Sequence, residues 1–118
     1  MEIEQFEGWV QRYIDAWRSN DAPEIGGLFT DDAKYFTAPH RQPWQGRDEI
    51  VREWLNRKDE PGTWEFRFEI RGIAGDLGFV RGWTTYGEPP TTYGNLWEVR
   101  LGQDGRCREF VEWWMVEE

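Results

Sequence analysis

The chain has 118 residues, which is enough for one domain with a core of its own. Aspartate and glutamate outnumber lysine and arginine by 23 to 14, and the formal charge of −9 repels nucleic-acid phosphates and anionic lipid surfaces. Aromatic residues make up 17% of the chain, unlike the aromatic-poor composition of disordered proteins. We therefore expect a single folded domain over residues 1–118, with neither nucleic acid nor membrane as a partner.

Cys107 is the only cysteine, so an intrachain disulfide and a cysteine-based zinc site are excluded by count. The first five residues are acidic and lead directly into a helical pattern, without the features of a signal peptide. No apolar run approaches the length of a membrane span. These features predict a cytoplasmic protein. With one histidine and no glycine-rich phosphate loop, we also expect no metal and no cofactor.

The first third of the chain has the pattern of two helices, a short strand and a loop. Apolar residues at three- and four-residue spacing predict a first helix of roughly four turns: Ile3, Phe6, Val10, Tyr13, Ile14 and Trp17. Asp21, with Glu24 three residues later, predicts a capping box that opens a short second helix. A short strand over residues 33–37 and a proline-containing loop over 38–45 are expected to follow.

The rest of the chain has the pattern of one more helix followed by strands. Residues 47–56 place their apolar side chains on one helical face. From residue 64 the apolar period becomes two, which predicts a half-buried strand over 64–71. Further strands are expected at about 77–86, 92–101 and 106–116, with a turn at 87–90 before the second of them. Helices followed by hairpin-linked strands predict an α+β fold, in which helices cover one face of an antiparallel sheet.

Four local phrases carry a family resemblance: YIDAW at residues 13–17, LFTDDA at 28–33, WQGRDEI at 44–50 and DGRCREF at 104–110. In this order they resemble the SnoaL-like branch of the nuclear-transport-factor-2-like superfamily over nearly the whole chain. The resemblance implies a cone-shaped, cystatin-like roll, with three N-terminal helices packed on a curved, mainly antiparallel sheet around a deep pocket. It also implies a homodimer through the outer face of the sheet.

The resemblance does not imply one chemistry, because ketosteroid isomerases, scytalone dehydratase, limonene epoxide hydrolase, polyketide cyclases and non-catalytic modules share this fold. By resemblance to ketosteroid isomerase, its first-helix tyrosine falls on Tyr13. Its general-base aspartate falls on Thr37 or Ala38, and its oxyanion aspartate falls near Trp97. Two of the three catalytic positions therefore lack the required residue, and steroid isomerisation is not expected. Tyr13 either donates a hydrogen bond to a ligand or packs in the core.

Glu112 is the acid that the same register places in the pocket. The register turns Phe110, Glu112 and Trp114 inward and leaves Trp113 on the outer face. A carboxyl between aromatic residues would lose water, and its pKa would rise toward the range useful for general acid–base catalysis. The resemblance to SnoaL-like polyketide cyclases implies the same role for a pocket acid. The alternative is that Glu112 lies on the solvent face or pairs with an arginine.

Two further polar residues are candidates for contact with a ligand. His40 lies in a loop that, by the family resemblance, overhangs the pocket mouth, where it could shuttle a proton or orient a ligand. Its alternative is an exposed loop histidine. Asn95 alternates with Tyr93 and Trp97 along one strand face, so it is either a ligand contact or a satisfied core amide.

Nine tryptophans form the most unusual feature of the composition. Those from different elements could converge on one cavity, because aromatic walls with a few polar groups hold small apolar ligands. The expected wall is Trp17, Tyr35, Trp44, Trp54, Trp83, Asn95, Trp97, Phe110 and Trp114. The alternative is a dense aromatic core with little empty volume. Trp9, Trp64 and Trp113 are expected on outer faces or at a dimer interface.

The sequence leaves two classes of function open. One is a cofactor-independent isomerase, lyase, cyclase or hydrolase that acts on a small apolar or aromatic compound through Glu112, Tyr13 and His40. The other is a non-catalytic module that binds a small ligand or serves dimerisation.

Overall fold

A computed structural model describes residues 1–87 and 89–117 as helices packed against one sheet. The helices are α1 (Ile3–Ser19), α2 (Ala22–Gly26) and α3 (Arg47–Asn56). The strands are β1 (Phe29–Phe36), β2 (Trp44–Gln45), β3 (Trp64–Ala74), β4 (Leu77–Tyr86), β5 (Thr91–Leu101) and β6 (Cys107–Val116). The predicted α+β architecture is confirmed. The turn predicted at residues 87–90 includes Glu88, which lies outside the described residues.

The strands form a single six-stranded sheet in the order β2-β1-β6-β5-β4-β3. Consecutive antiparallel hairpins join β3 to β6, because short turns connect these four long strands. The pair β1–β6 is parallel, and the chain passes through β2, α3 and the strands β3 to β5 before it returns beside β1. One face of the sheet packs on the helices, so side chains alternate between buried and partly buried along β4.

Helix α1 supplies much of the core, and its buried face is wider than the predicted stripe. Trp9 is fully buried and donates its indole N–H to the Leu28 carbonyl at 3.0 Å. Its expected place on an outer face is therefore wrong, because position 9 lies three residues after Phe6 and four before Tyr13 on the same helical face. Ile3, by contrast, is half exposed at the start of the helix. None of the helices of the described residues is long and apolar enough to span a membrane.

Strand β1 begins four residues earlier than the sequence predicts. Its first residue, Phe29, lies beside Cys107 of β6, and the register shifts before pairing resumes at Lys34. Between these two pairs lie Asp31 and Asp32, which are exposed. Two consecutive aspartates are typical of a turn, but the backbone here is extended. Strand β2 lies inside the predicted loop, and it forms because Trp44 pairs with Tyr35 across the sheet edge.

Two glycines of β4 allow aromatic rings to lie directly on the sheet. A side chain at Gly78 would collide with the ring of Phe6, and one at Gly82 would meet the ring of Phe66 at 2.5 Å. The Phe66 ring stacks on Trp97, with centroids 5.0 Å apart and planes 11° from parallel. The absence of side chains at these positions therefore fixes how closely the aromatic layer approaches the sheet.

Trp64, expected on an outer face, is instead buried as the first residue of β3. Its ring stacks on Trp17 of α1, with centroids 3.7 Å apart and planes 11° from parallel. The prediction is wrong because Trp64 shares the inward face of β3 with Phe66 and lies under the end of α1. This stack closes one side of the space between α1 and the sheet.

Candidate functional site

An open cavity of about 740 Å³ lies between the helices and the sheet. Its wall is mainly aromatic and draws on α1, α3 and five of the strands of the described residues. Nine residues predicted for the site line it: Tyr13, Trp17, Tyr35, Trp44, Trp54, Asn95, Trp97, Glu112 and Trp114. The aromatic residues therefore surround open volume as well as filling a core. A cavity of this size accommodates a ligand of several rings.

Glu112 is an acid on the cavity wall, half-buried on β6 and directly across from Trp97 of β5. Burial removes water from its charged form and raises the pKa of Glu112 to about 8. The Trp97 indole N–H and the Asn95 amide favour the charged form and lower the pKa, but burial outweighs them. At neutral pH this carboxyl is therefore mostly a neutral acid that can donate a proton.

A buried polar chain leads to Glu112 through Asn95. The Thr84 hydroxyl donates to Asn95 Oδ1 at 2.8 Å, and Asn95 Nδ2 donates to Glu112 Oε2 at 3.3 Å. Thr84 and Asn95 are the two polar residues counted as buried in the part of the chain that the structure describes. Their amide and hydroxyl are satisfied by each other and by Glu112, so the chain fixes the orientation of the carboxyl.

Two tyrosine hydroxyls form a second polar group on the wall. The hydroxyl oxygens of Tyr13 on α1 and Tyr35 on β1 are 2.7 Å apart, and both side chains are buried. Burial is the main cause that raises the pKa of both phenols, and the negative charge of Glu112 adds to it. Both hydroxyls therefore stay protonated at neutral pH. Since one proton joins the two oxygens, the other remains available to a ligand.

Three predicted site residues do not reach the cavity wall. His40 is exposed in a turn that the Arg41 N–H closes on the Ala38 carbonyl, so the predicted loop faces outward at this point. Phe110 is fully buried beneath the tyrosine pair and stacks on both rings. It supports the wall and is not part of it.

Trp83 is the third, and it lies on the opposite face of the sheet. Odd-numbered residues of β4 point away from the helices, which places the Trp83 ring between two guanidinium groups. The guanidinium carbons of Arg67 and Arg81 lie 4.0 and 4.4 Å from the ring centroid. The prediction that Trp83 contacts a ligand is therefore wrong, because successive side chains of a strand point to opposite faces and β4 turns Thr84 inward and Trp83 outward.

Asp59, at the mouth of the cavity, has no counterpart in the sequence prediction. Its Oδ2 accepts hydrogen bonds from the Trp17 indole at 3.0 Å and from the Tyr86 hydroxyl at 3.2 Å, and its carbonyl accepts one from Asn20. These contacts join the segment after α3 to α1 and β4. No local pattern indicates them, because the partners are 42, 27 and 39 residues away along the chain.

The charges at the mouth are mixed. Arg57 and Lys58 line the cavity beside Asp59, and the Arg57 guanidinium lies 5.6 Å from the Trp44 ring centroid. In residues 1–87 and 89–117, no group of three histidine, cysteine, aspartate or glutamate side chains is placed to hold a metal ion. The arrangement supplies a proton-donating carboxyl, neutral hydroxyls and aromatic surfaces at its inner end. It can therefore hold and protonate a small molecule.

Comparisons with known proteins agree with this architecture. A family model described as the SnoaL-like domain matches residues 10–114. A ketosteroid isomerase-like protein from Erwinia carotovora atroseptica has a TM-score of 0.67 and 20% identity, covering 92% of each chain. A second similar structure is that of SalBIII, an epoxide hydrolase/cyclase-like enzyme with a role in pyran ring formation in the polyether salinomycin. It has a TM-score of 0.75 and 14% identity, and the match covers 98% of this chain and 95% of SalBIII. No curated protein matches the chain. These structures confirm the nuclear-transport-factor-2-like fold.

Proposed function

Because this chain belongs to the SnoaL-like family, we propose that it binds a small apolar or aromatic molecule and acts on it by cofactor-independent general acid–base catalysis. Glu112 is the proton-transferring residue, and the reaction is an isomerisation, elimination, cyclisation or hydrolysis. The observation that carries the proposal is a carboxyl with a pKa of about 8 on the wall of an aromatic cavity. General acids work best when their pKa lies near the working pH.

The tyrosine pair gives the proposal a second functional group. Tyr13 and Tyr35 remain neutral beside Glu112, so one hydroxyl can hold an oxygen atom of the ligand while Glu112 transfers a proton. His40 has no role in this proposal, since its exposed turn lies outside the wall. The reaction types in the names of the two similar structures fit this chemistry. At 20% and 14% identity, however, they support the fold alone, and the proposal depends on Glu112.

The test separates binding from catalysis with Glu112→Gln and its matched control Glu109→Gln, which lies on the same strand but on the other face. Wild type and both variants are incubated with a panel of aromatic ketones, epoxides and lactones, and conversion is followed by chromatography. Binding of each compound is measured by quenching of tryptophan fluorescence. We expect conversion to fall at least 100-fold in Glu112→Gln and to persist in Glu109→Gln, since general acid–base catalysis contributes about 10²–10⁴-fold.

Two outcomes contradict the proposal in different ways. Conversion that survives in Glu112→Gln would exclude Glu112 as the acid. Compounds that bind wild type and both variants equally, with no conversion by any of them, would favour the second candidate, a non-catalytic binding module. That candidate is supported by the absence of an aspartate at Thr37, Ala38 and Trp97, the positions implied by ketosteroid isomerase.

The outer face of the sheet supports a proposal about assembly. Leu96 and Trp113 are cross-strand neighbours on this face, and Met115 follows Trp113 two residues later. Their side chains are 36%, 47% and 68% exposed, which is unusual for three adjacent large apolar residues. We propose that a second copy of the chain covers them in a homodimer. The cytoplasmic location stays a prediction of the sequence.

A further inference from the structure

The cavity wall carries a small positive excess of charge in an otherwise acidic protein. Among the described residues, its ionisable side chains other than tyrosines are Arg57, Lys58, Asp59 and Glu112. Burial raises the pKa of Glu112 to about 8, so this carboxyl is mostly uncharged at neutral pH. The two cations therefore outnumber the one remaining anion, although the whole chain has a formal charge of −9. A local excess of this sign favours an anionic group at the same place.

Arg57 and Asp59 already have partners within the protein. Asp59 Oδ2 accepts hydrogen bonds from the Trp17 indole at 3.0 Å and from the Tyr86 hydroxyl at 3.2 Å. The Arg57 guanidinium lies 3.4 Å from a carboxylate oxygen of Glu53, one turn earlier on α3. Because both charged groups are engaged by groups of the protein, neither requires a ligand.

Lys58 is the cation of the wall that is left for a ligand. It is exposed at the mouth and forms no ion pair within the part of the chain that the structure describes. Hydrogen bonds hold the backbone on both sides of it: the Arg57 N–H donates to the Trp54 carbonyl at 3.1 Å, and Asn20 Nδ2 donates to the Asp59 carbonyl at 3.0 Å. The fixed backbone lowers the entropy that Lys58 loses when it holds an anion.

We infer that the ligand carries a carboxylate at its outer end, which the Lys58 ammonium group binds at the mouth of the cavity. The aromatic inner wall takes the apolar rings of the same ligand, so the anion stays near solvent. An excess of one positive charge matches a monoanion, whereas a dianion would leave a negative charge beside Asp59. The assignment rests on the proposed function, because the ligand must occupy this cavity.

The test compares 2-naphthylacetate with 2-naphthylacetamide, which have nearly the same shape but differ in charge. Equilibrium dialysis at neutral pH gives the dissociation constants for wild type, Lys58→Met and the matched control Lys34→Met. Selectivity is the dissociation constant of the amide divided by that of the acid. Lys34 is the only other lysine of the chain, exposed on β1 and outside the described wall. Both variants lower the net charge by one, so the comparison cancels the field of the whole protein.

We expect selectivity to fall about 2–5-fold in Lys58→Met and to stay unchanged in Lys34→Met, because an ion pair at an exposed site contributes a factor of this size. Lys58→Arg keeps the positive charge and should keep most of the selectivity. The difference in selectivity between wild type and Lys58→Met should shrink as sodium chloride is added, since salt screens exposed charges.

The outcomes separate this inference from the proposed function. If neither probe binds wild type, the cavity does not take aromatic ligands, and the proposed function fails together with the inference. If both probes bind and Lys58→Met keeps the selectivity of wild type, the cavity binds ligands but Lys58 is only a solvated surface cation. That result overturns the inference alone, as does an equal fall in Lys34→Met. Equal weakening of both probes in Lys58→Met also overturns it, because the lysine would then contact the rings and not the carboxylate.

Discussion

Replacing Glu112 by glutamine should remove a pH dependence from the stability of the fold. Burial raises the pKa of Glu112 from 4.5 to about 8, so across that interval the folded protein holds a proton that the unfolded chain has released. The stability that depends on this proton is therefore complete below pH 4.5. It falls as the pH rises toward 8 and levels off above that value.

The magnitude follows from one proton. Within the interval, the free energy of unfolding falls by up to about 1.4 kcal/mol for each pH unit. Between pH 5.5 and 7.5 the wild type should lose about 2.5 kcal/mol that the glutamine variant keeps. The variant preserves the shape of the side chain and its acceptor for Asn95, and every other titrating group is common to both proteins. The difference between them therefore isolates Glu112.

Urea unfolding followed by tryptophan fluorescence gives the free energy of unfolding of both proteins at pH 5.5, 6.5, 7.5 and 8.5. Glu109→Gln serves as the control and should follow wild type. A difference that changes by less than about 0.5 kcal/mol between pH 5.5 and 7.5, close to the error of extrapolation, would refute the reasoning. It would mean that Glu112 is already ionised and hydrated in the folded protein.

The remaining predictions concern packing, the cysteine and assembly. Gly78→Ala should destabilise the fold by about 1–3 kcal/mol in urea unfolding, because the added methyl group collides with the Phe6 ring. The control Gly72→Ala has open space around the added methyl group and should not destabilise the fold in this way. Cys107 is buried, and burial raises the pKa of its thiol to about 12, so Ellman's reagent should label it only in urea. Fast labelling of the native protein would contradict the burial of Cys107. Sedimentation equilibrium should show a dimer for wild type and a monomer for Trp113→Glu; a monomeric wild type would contradict the proposed interface.

The limits of α3 and β4 could be read from the sequence because their causes are local. One apolar face defines α3 over Arg47–Asn56, and alternation bounded by turn residues defines β4 over Leu77–Tyr86. Alternation also separates Glu112 from Trp113, but the family resemblance was needed to predict which of the two faces inward; in the structure Glu112 lies on the cavity wall and Trp113 on the outer face. For elements of this kind, the period of the side chains determines both the structure and the buried face.

The extent of β1 and the position of Trp83 needed more than the local pattern. The pair Asp31-Asp32 is typical of a turn, yet β1 pairs with β6 on both sides of it, at Phe29 and again from Lys34, and the backbone between them is extended. Trp83 is aromatic like the residues of the wall, but the register of β4 turns it outward between two arginines. Residue type alone therefore overestimates the number of aromatic residues that share one cavity.

The sequence by itself determined the fold class and the helical and strand periods, and the family resemblance added the register that predicts Glu112 on the inward face of the last strand. Only the tertiary structure decided that Glu112 lies beside Asn95 and Trp97, that Tyr13 meets Tyr35, and that Asp59 joins the cavity mouth. The reason is physical. A pKa depends on how much water the folded chain removes from a group, and a cavity depends on contacts between residues far apart in sequence. Neither quantity is contained in any local stretch of the chain.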